Sequence, residues 1–110
     1  MSIDEKRKEQ RLTLQIQANC KLEGKIFSAY VWDISQSGLK IELLKKPKKN
    51  TAISIILETK PPLKLFGKIR WYKKEGLAYI CGIQFENLNE KQSIQLNELT
   101  QKLFWENFGG

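Results

Sequence analysis

The chain of 110 residues contains no histidine. That absence removes the Ser-His and Cys-His pairings of nucleophilic catalysis and the commonest general base. Cysteine is scarce: Cys20 and Cys81 lie far apart, with no second close pair to build a zinc site. Both fall on the apolar faces of expected strands, which marks them as buried free thiols of a reducing compartment. No apolar run approaches the length of a membrane-spanning helix. The first residues, Met1 to Arg7, carry charge where a signal peptide would carry an apolar core. No internal repeat and no glycine-rich phosphate loop are present. The expectation is a cytoplasmic protein that is not an enzyme and holds neither metal nor cofactor.

What is present suits one soluble domain: 41% hydrophobic and 28% charged residues. Lys and Arg number 19 against 12 Asp and Glu, a net charge of +7. That balance favours anionic partners such as a nucleotide, a nucleic acid or an acidic protein surface.

After a charged arm over residues 1–11, the pattern changes. Leu14, Ile16, Ala18, Cys20 and Leu22 alternate with Gln15, Gln17, Asn19 and Lys21, which predicts a strand over 12–22. Further strands are predicted over 26–32, 39–43, 51–58, 63–72 and 77–86. In the fifth, Leu63, Leu65, Ile69 and Trp71 face inward, and Gly67 among them suggests a bend or bulge. In the sixth, Leu77, Tyr79, Cys81, Ile83 and Phe85 share one face. Trp32, Trp71 and Phe85 read as core or barrel-rim residues. Lys45 to Lys49 is a basic, proline-broken loop, and Lys73 to Gly76 a hairpin loop.

The period then lengthens into a helix, placed within 87–108. Asn89 can cap it and Gln92 can return the bond as a capping box. Leu96, Leu99 and Leu103 lie on one face. Phe104, Trp105 and Phe108 are expected to pack on the barrel, with an oligomer face as their other use. The fold class is all-β: a six-stranded antiparallel barrel with a C-terminal helix, residues 12–110, preceded by the arm. Closure removes the edges that such strands otherwise expose.

Two groups of residues carry binding chemistry. Arg7 and Arg11 sit four apart in the arm, and their forks suit phosphate or the acceptor edge of guanine. Between the second and third strands, Asp33 and Ser35 are expected to point to one side, and Gly38 permits an unusual backbone angle or a close approach. Asp33 can accept from the N–H edge of guanine. Taken alone, Asp33 to Gly38 reads first as a plain turn.

In these residues the chain resembles the PilZ domain family. The family's Arg-x-x-x-Arg signature is matched by Arg7-Lys8-Glu9-Gln10-Arg11, and its Asp-x-Ser-x-x-Gly signature by Asp33-Ile34-Ser35-Gln36-Ser37-Gly38. Gly67 to Trp71 and Cys81 to Phe85 are similar to its last two strands, so the resemblance covers nearly the whole chain. It implies a barrel that binds cyclic di-GMP, a bacterial second messenger, through Arg7, Arg11, Asp33, Ser35 and Gly38. Lys6 stands where many members carry arginine and, with Ser37, is an additional candidate contact. The resemblance also implies a receptor that acts through a separate effector protein, with motility, exopolysaccharide export and transcription all open as outputs. An arm with no apolar residue between Asp4 and Arg11 would be ordered by the ligand. A nucleic-acid binder would need aromatics on one basic strand face, whereas here they fall on both. An adaptor with the fold but no ligand would lack the signatures.

Overall fold

The computed structural model describes residues 16–106. Six strands are present: β1 (Ile16–Leu22), β2 (Lys25–Ile34), β3 (Gly38–Leu43), β4 (Ala52–Leu57), β5 (Leu63–Glu75) and β6 (Ala78–Phe85). Among the described residues one helix, α1 (Glu90–Phe104), follows. Every strand pairing is antiparallel, and the strands close in the order β1-β2-β3-β6-β5-β4. The all-β barrel with a C-terminal helix read from the alternation is therefore the observed fold.

Inward positions of each strand fill the interior with Leu, Ile, Val and Ala, and Ala18, Ile41, Ile55, Leu57, Leu65 and Ile69 are wholly buried. Leu96 of α1 joins the same core. The capping box at Asn89 and Gln92 is present. Gln92 has a further partner: its side-chain Nε2 donates to the Lys64 carbonyl at 2.7 Å, which ties the first turn of α1 to β5.

Two bulges displace the pattern. One shifts the β2–β3 register between Val31 and Asp33, the other the β5–β6 register between Ile69 and Trp71. An extra residue in a strand reverses the facing of the residues beyond it. Trp71, predicted inward, therefore stands 40% exposed on the outer surface. The bulge predicted from Gly67 lies three residues further on. Leu77 is not part of β6: β5 runs on to Glu75, the hairpin turns at Gly76, and Leu77 stands in solvent at its tip. Phe104 and Trp105 are more than half exposed, their rings meeting edge to face at 5.8 Å, and Phe108 lies outside the described residues.

Cys20 and Cys81 are buried free thiols, as expected from their strand positions. Burial pushes Cys20 up to about 12, with Cys81 beside it adding to the effect, and burial alone pushes Cys81 up to about 11. Unfolded thiols ionise near about 8.5, so the folded chain holds these protons more tightly. The stability they contribute is complete below that pH and is lost as pH rises through about 11 to 12. At pH 8 the native chain is expected to resist iodoacetamide while the urea-unfolded chain is alkylated at both positions. Rapid native labelling by intact mass would contradict it.

Candidate functional site

The β2–β3 connection is shorter than the sequence suggests. Asp33 and Ile34 still belong to β2, where Asp33 pairs with Lys40 and Ile34 with Leu39. Only Ser35 to Ser37 make the turn. The Ser35 N–H donates to the Gly38 carbonyl at 2.8 Å, and the Ser37 N–H reaches the Ser35 hydroxyl at 3.4 Å. The two hydroxyls, Ser35 Oγ and Ser37 Oγ, lie 3.3 Å apart. A further bond from the Phe85 N–H to the Ser37 carbonyl, 2.9 Å, fixes the turn to the end of β6. Gln36 Nε2 donates to Asn97 Oδ1 of α1 at 3.4 Å.

Gly38 satisfies a close approach and not a left-handed backbone. A Cβ there would run into the carbonyl oxygen of Ile83 on β6. The missing side chain thus lets β3 and β6 meet, which is a structural use of a position that the resemblance assigns to ligand.

Asp33, Ser35, Ser37 and Gly38 border one open depression of about 430 Å³. Its other walls include Lys40, Arg70, Trp71 and Gln84. Arg70, the residue at the β5 bulge, donates from Nε to Gln84 Oε1 at 2.6 Å and from Nη1 to Asn50 Oδ1 at 3.3 Å. Those bonds hold the guanidinium while engaging two of its five N–H donors. The Trp71 indole lies across Gly82, where any Cβ would collide with the ring. Cations, a carboxylate, paired hydroxyls and an exposed aromatic face therefore surround one hollow. The sequence reading missed Arg70 and Trp71 as site residues. Their available signal was the Trp71–Gly82 pairing, which becomes visible only once the bulge sets the register.

Arg7, Arg11 and Lys6 lie outside the described residues. The structure brings together Asp33, Ser35, Ser37 and Gly38. Among the described residues no group of three or more His, Cys, Asp or Glu could hold a metal ion. No described helix is long and apolar enough to cross a membrane.

A family model for the PilZ domain matches residues 5–102. The chain belongs to the PilZ domain family. Solved structures similar to this PilZ domain include apo MrkH of K. pneumonia, at a TM-score of 0.73 and 12% identity, covering 84% of this chain and 48% of that one. The PilZ domain of CeSA from a cellulose-synthesizing bacterium aligns at a TM-score of 0.62 and 17% identity over 81% of this chain and 92% of that one. Borreliella burgdorferi PlzA, solved in complex with c-di-GMP, aligns at 0.57 and 16% identity over 97% and 51%. This PilZ domain thus spans about half the length of the MrkH and PlzA chains. No curated protein matches it.

Proposed function

We propose that this PilZ domain is a cytoplasmic receptor for cyclic di-GMP, assembled from the arm over 1–11 and the barrel over 12–110, that signals through a protein partner. The observation that carries the reading is the convergence of Asp33, Ser35, Arg70 and Trp71 on one open depression beside the Asp-x-Ser turn. Asp33 and Ser35 read the N–H edge of a guanine. Arg7 and Arg11 grip its acceptor edge and the phosphates, with Lys6 and Ser37 as lesser contacts. Trp71 offers a face for stacking, and Arg70 a second cation.

Covalent reach is compatible with this division. Ile16 pairs with Val31, two residues before Asp33, and Arg11 lies five residues before Ile16. Five residues span at most ~18 Å, and an arginine side chain extends that further. The ligand of PlzA supports the choice of nucleotide by family likeness.

Calorimetry on Asp33→Ala and Arg11→Ala is expected to show cyclic di-GMP affinity falling ten- to a hundredfold, the equivalent of ~1–3 kcal/mol for a lost bidentate or carboxylate contact. Unchanged affinity in Asp33→Ala would sink the assignment. Trp71→Ala tests the stacking face separately, with a loss of ~1–3 kcal/mol expected if a base lies on the indole. Following molecular mass during the same titration gives the stoichiometry and the state of assembly.

A further inference from the structure

The barrel has a second pole, opposite the Ser35–Ser37 turn, where the β1–β2 turn, the β3–β4 loop and the β5–β6 turn come together. In the closed order β1-β2-β3-β6-β5-β4, strands β3 and β4 stand diametrically opposed. The β3–β4 loop must therefore cross the mouth of the barrel. Pro47, at its middle, is buried, while Lys45, Lys46, Lys48 and Lys49 on either side of it are exposed. Lys25 and Lys74 flank them from the two neighbouring turns. Lys73 is taken up by Glu75 at 3.8 Å, and Glu23 is the other acid of these turns.

Three aliphatic side chains stand out at the same pole: Ile26 is 74% exposed, Leu44 81% and Leu77 90%. Leu44 opens the lysine loop itself, while Ile26 and Leu77 belong to the β1–β2 and β5–β6 hairpins on either side of it. Leu77 follows Gly76 at a hairpin tip, a place that turn chemistry normally gives to polar residues.

We propose that this pole docks the protein on an anionic lipid surface. Lysines ring a convex end, and their mobile point charges suit a diffuse negative surface, whereas bidentate reading of individual phosphates favours arginine. The one aromatic ring there, Phe27, is half-buried and covered by Lys45 at 5.3 Å. The exposed apolar residues are aliphatic, fit to dip between acyl chains, and offer no open flat face on which unpaired bases stack. The Ser35–Ser37 turn is at the other pole, and the loop meets the depression only at its Arg70 wall, where Arg70 donates to Asn50 at 3.3 Å.

Each lysine near an anionic surface contributes roughly fivefold in affinity. Co-sedimentation with vesicles of phosphatidylcholine alone, and of phosphatidylcholine with 30% phosphatidylglycerol (roughly the surface charge of an anionic bilayer), tests the proposal on the full chain. Binding is expected only to the anionic vesicles and should weaken with salt. The K45E/K46E/K48E/K49E variant should lose more than about a hundredfold. Leu77→Asp, at a hairpin tip where the side chain is 90% exposed, should also lose binding, and its melting temperature should match the parent's. No binding to anionic vesicles overturns the proposal. So does binding that either variant leaves intact, equal binding to neutral vesicles, or retention on single-stranded RNA with none on vesicles.

Discussion

Gly38→Val is expected to lower the melting temperature by roughly 10–20 °C, corresponding to about 2–3 kcal/mol. A Cβ at this position would meet the carbonyl oxygen of Ile83, with the carbonyl carbon at 3.1 Å and the Gln84 Cα at 3.4 Å. All three are backbone atoms of β6, which is held by β3 on one side and β5 on the other. Relief therefore requires the strands to part, and that strains the Ser35 to Gly38 bond of 2.8 Å and the Phe85 to Ser37 bond of 2.9 Å. Gly82→Ala provides a contrast. There the obstructing atoms belong to the Trp71 indole, a side chain that can swing away. That variant should keep most of its stability while displacing the aromatic wall of the depression. Thermal melts of the two proteins decide the matter, and a Gly38→Val melt equal to the parent's would show that β3 and β6 do not need this approach. A drop in ligand affinity in Gly38→Val then carries no information about direct contact, which is why Asp33 and Trp71 are the better probes of the site.

Alternation made the barrel legible, because a strand with one buried face repeats every two residues and six such stretches leave few other ways to bury them. The capping box was equally legible, since Asn89 and Gln92 act within four residues. What escaped were the effects of register. A single extra residue at the β5 bulge turned Trp71 from the core to the surface, beside an Arg70 that alternation already faces outward, and local composition around Ile69 carries no mark of it. Leu77 escaped for a related reason. Its place in the alternation is inward, but β5 and β6 reach past the end of β4, so the hairpin tip has no interior to face. At the candidate site, Asp33, Ser35 and Gly38 were readable from their spacing and the family resemblance. The structural demand on Gly38 was not, because it comes from Ile83, a residue forty-five positions away (83 − 38) that only the closed barrel brings alongside.

Leu96→Ala is expected to cost about 2–5 kcal/mol, the range for deleting a wholly enclosed leucine. Leu96 is the buried residue of α1 and is part of the barrel core. Leu99 packs beside it only partly buried, so the apolar attachment of the helix rests on one residue more than on any other. The polar attachments are weaker substitutes. Gln92 to the Lys64 carbonyl is a solvent-accessible bond, and Gln36 to Asn97 is long at 3.4 Å. Net contributions of ~1 kcal/mol or less are expected from bonds of that kind. The second of them, however, joins α1 to the turn that carries Ser35 and Ser37. Loss of the Leu96 anchor should therefore do two things: lower the melting temperature, and raise amide exchange at Ser35 and Ser37, the turn amides that donate hydrogen bonds, before it rises at the centre of β6. Hydrogen exchange followed by NMR distinguishes that order from uniform loosening of the barrel. If the turn stays as protected as β6 while the helix exchanges freely, the helix does not brace the candidate site, and α1 serves only to close the barrel.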